Sequence, residues 1–468
     1  MVIPGAGALV IGRGRERIAE ATARLTRLAF AIVVVLSPFR LREVLDERSI
    51  GGLFHDYTDI RIGASELALV VLLGLWMASR LARPRPLETG PGWLRWSGLL
   101  LLGASWLGVP GSVDPALSAA NAAALTAYAG LALYVRNEVR GPRELVVPVI
   151  AMLGLQATVG IGQVLLQRSV GLSGLGELLI GPGIPGSSIV TTLDGVRLLR
   201  AYGLTDHSNV LGGVLVFGLC ILASMLDRST GATGRGAAPE PRRLTIASLG
   251  AAGLALVATA LAFSRGAWLA LAVGGATGVA ISIAARRPEG ARRWLVAIGA
   301  SALVGLALVI PYGSAFAARV DPSPVRPASE IRSIDERLAL ADAAVQVAAA
   351  HPLLGTGIGT LPEAMAVAVP DLRYPPQPAH VVLLTAFAET GVVGALGMAG
   401  LLFGPWMELR RRSASATTGR APAAALLAAI VVVGLFDYYP WAFAAGRTWT
   451  AIGVGLWAAV AAPTPEPV

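Results

Sequence analysis

The sequence predicts an all-α, polytopic membrane protein of about twelve transmembrane helices. Of its 468 residues, 54% are hydrophobic and only 14% are charged, whereas soluble domains carry roughly 25% charged residues. Apolar runs of about 18 residues or more, long enough to cross the hydrocarbon core of a bilayer, recur along the whole chain. Strands of a membrane barrel would instead give short alternating segments, and the sequence contains none.

The apolar runs are rich in Ala, Leu, Val and Gly, and small residues let neighbouring helices approach closely. We expect them to form a single integral membrane domain over residues 1–468. The predicted spans lie near residues 23–39, 63–82, 93–110, 116–135, 144–167, 208–227, 244–263, 265–285, 293–312, 380–404, 422–440 and 446–462.

The basic residues, all of them arginine, predict the orientation of these spans. They concentrate in alternate connections such as "SRLARPR", "VRNEVRGPR", "ARRPEGARR" and "ELRRRSASATTGR". Cytoplasmic loops of membrane proteins collect positive charge. The net charge of +9 is therefore explained by topology, and no nucleic-acid partner is expected. The same rule places two long loops, 168–207 and 313–379, on the extracytoplasmic face.

The larger loop is expected to contain short helices. The stretch "SIDERLALADAAVQVAAAHPLLG" has the pattern of an amphipathic helix. Ser333 or Asp335 is the predicted N-terminal cap, and the Pro and Gly of "HPLLG" are predicted to end the helix.

Among the arginines on the outer side, which run against the positive-inside trend, Arg200, Arg265 and Arg337 are candidates for a function. A guanidinium presents a fixed fork of donors that matches phosphate oxygens and does not lose its proton. A phosphate group is therefore a candidate ligand on this face. The alternative is an interfacial arginine paired with Asp206, with Asp335 or with a lipid headgroup.

One of only four histidines, His380, stands where the Pro-rich loop "YPPQPAH" meets an apolar helix. A neutral imidazole can accept a hydroxyl proton during a transfer reaction, although a lone interfacial histidine is more often structural. Glu389 lies roughly 13 Å further along the same helix, on the opposite face. As an intramembrane acid it is either functional or a helix-to-helix hydrogen-bonding group.

The common motifs of soluble enzymes do not occur in the sequence. There is no H-E-x-x-H metal motif and no D-x-D cluster, "GTGIGT" lacks the lysine of a Walker loop, and no G-x-S-x-G elbow is present. We therefore expect neither a metal nor a cofactor.

Three stretches taken together resemble the bacterial O-antigen ligase and polymerase superfamily. "RAYGLTDHSNVLGGVL", which contains His207 and Asn209, is similar to the family's Arg-x-x-Gly segment and helix entry. "ALAFSRGAWLALAVG" is similar to its Ser-Arg-Gly segment. "AAAHPLLGTGIGT", continuing to "PAHVVLLTAFAETGVVG", is similar to its Pro-Leu-Leu-Gly run and His-led helix. Residues 195–395 carry the likeness.

The resemblance implies a glycosyltransferase of surface polysaccharide assembly, such as that of lipopolysaccharide, in the bacterial inner membrane. The donor would be a glycan on a polyprenyl diphosphate such as undecaprenyl diphosphate, and the acceptor a glycan, lipid or protein hydroxyl at the outer face. No nucleotide sugar or metal would be required. Arg200, Arg265 and Arg337 would bind the diphosphate, and His380 would be the general base.

Two positions depart from the family's pattern. Val381 stands where the family usually has Asn, and Ser208 where it commonly has Pro. The first removes a polar contact, which bears on acceptor recognition more than on catalysis.

A second hypothesis is a transporter or flippase of a lipid-linked or small solute, because twelve spans suit one. Transporters usually place ionisable groups near the midplane, often in repeated halves. In this sequence the polar groups cluster at one interface, with Glu389 as the main exception.

Overall fold

A computed structural model describes residues 6–192, 194–226, 241–320, 328–411 and 419–461. Within these ranges the chain is mainly helical, as predicted. The long helices are α1 (Ala6–Leu36), α3 (Ala64–Ala82), α4 (Gly92–Gly108), α5 (Pro115–Glu138), α6 (Val146–Leu166), α7 (Ser208–Leu222), α8 (Arg242–Leu261), α9 (Arg265–Ala284), α10 (Pro288–Val320), α11 (Ala328–Ala350), α13 (Val382–Arg411), α14 (Arg420–Phe436) and α16 (Ala444–Ala461).

Short elements connect the long helices. The short helices are α2 (His55–Thr58), α12 (Leu361–Ala368) and α15 (Tyr439–Ala442). Two small antiparallel hairpins pair β1 (Arg42–Asp46) with β2 (Ile60–Gly63) and β3 (Ile189–Thr191) with β4 (Arg197–Leu199). The all-α prediction did not include these hairpins.

Each predicted span coincides with a helix, and eight stretches in the described ranges are long and apolar enough to cross a membrane. These are Ala64–Ala82, Pro115–Glu138, Pro142–Leu166, Ser208–Met225, Arg242–Leu261, Arg265–Ala284, Pro288–Val320 and Val382–Leu409. The chain therefore has the make-up of a helical membrane protein, and the count of twelve spans stays a prediction.

The core of the bundle is built on α7 and α14, which are buried along almost their whole length. α7 packs against α6, α8, α9 and α14, and α14 packs against α9 and α16. Small residues allow this close packing. By contrast, α10 exposes large apolar side chains such as Leu303, Leu306 and Ile310, as expected of a surface that faces lipid.

One boundary within the large loop was predicted wrongly. The span predicted to end at 312 reaches a kink at Tyr312 after Pro311, and helical structure continues beyond the kink to Val320. The loop helix α11 begins at Ala328, so neither Ser333 nor Asp335 caps it, because the preceding residues favour a further helical turn. Its predicted end holds, since α11 stops at Ala350 just before "HPLLG". Residues 321–327 lie outside the described ranges.

A break in the helical backbone of α13 allows the glycine-rich segment that follows α11 to pack against this helix. Gly391 has φ 65° inside the helix, a conformation that only glycine adopts readily. A Cβ atom at this position would overlap the carbonyl group of Leu353. The chain at Leu353 therefore packs directly on the α13 backbone, below His380.

The loop 168–207 is held down by polar side chains of α6. Gln163 donates to the carbonyl oxygen of Gly203 and to Glu177, both at 2.9 Å, and Gln156 accepts from the amide of Leu204 at 2.8 Å. Buried amide side chains thus replace the regular hydrogen bonds that this loop lacks. The loop carries Arg200 and His207 to the N-terminus of α7.

Candidate functional site

A cavity of about 400 Å³ lies where several helix ends meet. The first residues of α7 and α9 line it together with the last residues of α10 and α14, one face of α11, and the segment before α13. Six of the seven predicted site residues line this cavity, namely Arg200, His207, Asn209, Arg265, Arg337 and His380. Residues far apart in the sequence are therefore brought to one place.

Arg200 is a buried member of the cavity wall. It is 4% exposed, and its guanidinium donates to the carbonyl oxygen of Ala262 at 2.7 Å, to Ser188 Oγ at 2.6 Å and to Asn209 Oδ1 at 2.6 Å. Asn209 Nδ2 in turn donates to Asp437 Oδ2 at 3.0 Å. Arg200 thus fixes the relative positions of the loop, of α7 and of the end of α14.

Arg265 opens α9 at the tight turn after α8. Ser264 caps the helix through a bond from the amide of Ala267, and the Arg265 side chain is exposed. Its Nη1 approaches the carbonyl oxygen of Arg319 at 3.5 Å. Arg319 donates through Nε to the carbonyl oxygen of Phe263 at 3.0 Å. The two arginines therefore line the same side of the cavity.

Arg337 comes from the loop helix α11. Its Nη1 donates to the carbonyl oxygen of Phe436 at 3.3 Å, and the neighbouring Glu336 accepts from Gln377 Nε2 at 3.1 Å. Of the described residues that line the cavity, four are arginines and two, Glu336 and Asp437, are carboxylates. The cavity thus carries an excess of positive charge, which favours an anionic ligand.

His380 lies two residues before the first residue of α13. Its Nδ1 is buried and has no hydrogen-bond partner among the described residues. Burial lowers the pKa of His380 to about 4, and Arg337 acts in the same direction while Asp437 opposes it. Since the imidazole is neutral at physiological pH, it can accept a proton.

Tyr438 forms the wall beside His380. The two ring centroids are 4.9 Å apart and the rings are nearly perpendicular. The hydroxyl of Tyr438 is 2.6 Å from the hydroxyl of Tyr57, which lies in α2. An aromatic contact therefore bounds one side of the imidazole.

His207 has a different environment from His380. It caps the N-terminus of α7, because its Nδ1 accepts from the amide of Asn209 at 3.1 Å. Burial lowers its pKa well below the usual value, with further contributions from Arg200 and His380. One ring nitrogen is thus already engaged in the fold, which gives His207 a structural role at the cavity edge.

Glu389 does not line the cavity that holds His380. It accepts from Trp441 Nε1 at 2.7 Å and from the amide of Gly359 at 2.8 Å, and it lines a separate cavity of about 150 Å³. The expectation that the carboxyl and the imidazole would lie on opposite faces agrees with this placement. The bonds of Glu389 connect α13 with α15 and with the glycine-rich segment.

The sequence reasoning did not select several residues of the cavity as site residues. Arg319 lies on the same side as Arg265 and could have been found by the same topological argument. Asp437 and Tyr438 were not selected either. Ser208, at the position where the family commonly has Pro, donates to Ser188 Oγ at 3.1 Å and so adds a contact to the cavity wall.

The comparisons with known proteins agree with the resemblance. Residues 250–399 match the family model described as O-antigen ligase. This segment contains Arg265, Arg319, Arg337 and His380, whereas Arg200, His207 and Asn209 precede it. No curated protein matches the chain. Residues 250–399 are therefore similar to the O-antigen ligase family, and this similarity supports a membrane glycosyltransferase of the O-antigen ligase or polymerase type.

Proposed function

We propose that the chain transfers a glycan from a polyprenyl-diphosphate donor to an acceptor hydroxyl at the outer face of the bacterial inner membrane. The observation that carries this proposal is the meeting of four arginines and His380 around one cavity at the helix ends. The acceptor is a glycan, a lipid or a protein, and membrane lipid surrounds the helices. No metal or nucleotide sugar takes part.

The arginines would stabilise the diphosphate. Arg265, Arg319 and Arg337 present guanidinium groups toward the cavity, and Arg200 fixes the wall between them. A guanidinium keeps its charge and can bind two phosphate oxygens at once. Such preorganised positive charge lowers the energy of the leaving diphosphate as negative charge develops on it.

His380 would take the proton of the acceptor hydroxyl. Its Nδ1 is buried without a partner, so a lone pair is available for a hydroxyl group, provided that the ring proton resides on Nε2. The position at the N-terminus of α13 also disfavours the imidazolium form, so the imidazole is neutral when the acceptor binds. A neutral imidazole with an available lone pair can act as a general base.

The transfer then balances as a single displacement. The acceptor oxygen forms a bond to the anomeric carbon of the donor sugar while its proton passes to His380. The bond between the anomeric carbon and the diphosphate oxygen breaks, and the electron pair leaves with the polyprenyl diphosphate. The base returns its proton to water before the next cycle.

Release of polyprenyl diphosphate by the purified protein tests this function. We expect release when the protein is supplied with the lipid-linked glycan and an acceptor, and loss of release in His380→Ala and Arg265→Ala. His351→Ala and Arg373→Ala are matched controls, because both side chains are exposed in the large loop and neither lines the cavity. Full activity in both cavity variants would contradict the assigned residues.

A second assay separates the transferase from the transporter hypothesis. Protein reconstituted in vesicles is given the lipid-linked glycan, and the donor is analysed on both sides of the membrane. A transferase leaves a glycosylated acceptor and free polyprenyl diphosphate. Movement of an intact donor across the bilayer, without chemical change, would contradict the proposed function.

A further inference from the structure

Tyr57, from a part of the sequence far from His380, contacts a residue of the cavity wall and itself lines the smaller, separate cavity. It belongs to the hairpin segment (residues 37–63) between α1 and α3, which precedes the residues that match the O-antigen ligase family. Its hydroxyl lies 2.6 Å from that of Tyr438, and the Tyr438 ring packs edge-on against His380 at 4.9 Å. A single hydrogen bond thus connects this segment to Tyr438, the residue that packs against the imidazole.

The hydroxyl of Tyr57 has a second partner on the same side of the cavity. It donates to Gln377 Oε1 at the longer distance of 3.5 Å, and Gln377 lies three residues before His380. If Tyr57 donates there, the shared bond is donated by Tyr438, because a hydroxyl has a single proton. Tyr57 therefore contacts both Tyr438, which packs against the imidazole, and Gln377, which lies in the segment that carries His380.

The hairpin segment also contacts the residue that precedes His207, a residue of the cavity lining. Arg42 donates to Asp206 Oδ1 at 2.9 Å and to Asp56 Oδ1 at 2.6 Å. Asp206 immediately precedes His207, and Asp56 immediately precedes Tyr57. An ion-pair network thus anchors the residue next to Tyr57, which gives its hydroxyl a fixed place.

We propose that Tyr57 is a positioning residue for the transfer reaction: it holds Tyr438 against His380 and so keeps the imidazole in one orientation. This inference rests on the proposed function. Tyr57 itself would not touch the reacting atoms. It would act through Tyr438, whose ring limits the rotation of the imidazole and excludes water from it.

The pKa of His380 depends on the charged and titratable groups around it. These groups are Asp437 directly after α14, Arg337 in α11, His207 directly before α7 and Tyr438 directly before α15. A purely structural role of Tyr57 would leave this pKa unchanged. Loss of the Tyr57 hydroxyl would let Tyr438 move and water enter. The pKa of His380 would then rise from about 4 toward the usual value near 6.5.

The test compares Tyr57→Phe, Tyr438→Phe and the double variant. Tyr57→Phe leaves the Tyr438 hydroxyl without this partner, and Tyr438→Phe leaves Tyr57 only the longer contact with Gln377. We expect kcat to fall about tenfold in each while the donor KM is unchanged. The double variant should be no slower than the slower single variant, since both changes delete the same bond. Tyr134→Phe is the control, because Tyr134 is buried in α5 and does not line the cavity.

Two outcomes would overturn the proposal. One is unchanged kcat in Tyr57→Phe. The other is a lower kcat with no movement of the acidic limb of the pH profile, which would mean a general loss of stability. The pKa of His380 can also be followed by NMR in protein with labelled histidine, assigned with His380→Gln. This measurement needs no turnover, so failure of the proposed function and failure of the positioning role are distinguishable.

Discussion

Arg337 donates through Nη1 to the main-chain carbonyl oxygen of Phe436 at 3.3 Å. This bond joins the helix of the large loop to the end of α14. The next two residues, Asp437 and Tyr438, both line the cavity. A side chain that faces the proposed diphosphate therefore also supports the wall that faces His380.

A change of Arg337 to lysine should show that geometry matters as well as charge. Lysine keeps the positive charge but lacks the planar fork that binds two oxygens at once. We expect kcat/KM for the lipid-linked donor to fall roughly tenfold in Arg337→Lys and further in Arg337→Ala. Initial rates of polyprenyl diphosphate release measure the effect.

The control for this change lies on the same helix. Arg332 is exposed in α11, with its guanidinium 6.0 Å from the centre of the Tyr374 ring, and does not line the cavity. Arg332→Lys should behave as the unchanged protein does. Equal activity of Arg337→Lys and the unchanged protein would refute bidentate binding by Arg337.

The bridge from Arg200 through Asn209 to Asp437 predicts a pattern of loss and rescue. Asn209→Asp keeps an acceptor for Arg200 but places a carboxylate at the 3.0 Å contact with Asp437. Like charges at this distance repel, so the temperature of thermal unfolding should fall. Adding Asp437→Asn exchanges the amide and the carboxylate and should restore most of the loss. Absence of rescue would contradict the bridge.

The acidic limb of the pH profile should lie near pH 4. The neutral imidazole is the proposed base, and the pKa of His380 is lowered to about 4, so the base stays available as the pH falls from 7 to about 5. An unperturbed histidine would lose it near 6.5. The measurement is kcat/KM against pH, and a limb near 6.5 that is absent in His380→Gln would contradict the assignment.

The lowered pKa of His380 also makes the free energy of unfolding depend on pH. The folded state resists protonation of His380 down to about pH 4, whereas the unfolded chain takes up the proton near 6.5. This contribution to the free energy of unfolding is present above 6.5 and is lost as the pH falls from 6.5 toward 4. His380→Gln should therefore show a weaker acid destabilisation over that range.

Gly391→Ala should disrupt the site without changing any charged group. The residue has φ 65° and no room for a Cβ atom beside Leu353, so the α13 backbone must shift close to Glu389. We expect a clear loss of folded protein on size-exclusion chromatography. Gly250→Ala, in α8 with open space around the position, should be neutral or slightly stabilising. Equal yields of the two variants would contradict the close approach.

The positive-inside rule and the order of motifs predicted that several residues distant in the sequence lie on one face. Arg200, Arg265, Arg337 and His380 were expected on one face, and the structure places them around one cavity. The apolar runs likewise predicted the long helices. These features are local, because each is encoded by a run of residues or by a charge on a given loop.

The remaining contacts could not be predicted because no local pattern encodes them. Tyr57 and Tyr438 are 381 residues apart, and neither tyrosine stands out in its own segment. The start of α11 was predicted wrongly because Ser333 and Asp335, which lie inside the helix, are residue types that often cap a helix N-terminus. Glu389 was correctly separated from His380 by helical periodicity, but its bond to Trp441 depends on how α15 folds back.

The wall that Phe436, Asp437 and Tyr438 supply has a consequence for the order in which the protein is made. Arg200 and Asn209 leave the ribosome more than two hundred residues before Asp437, and Arg337 about a hundred residues before Phe436. A chain released before α14 is complete lacks the acceptors of both Asn209 and Arg337. The cavity can therefore close only after α14 and the residues that follow it have been made, and a protein truncated after residue 411 would retain most of the described helices but not the cavity.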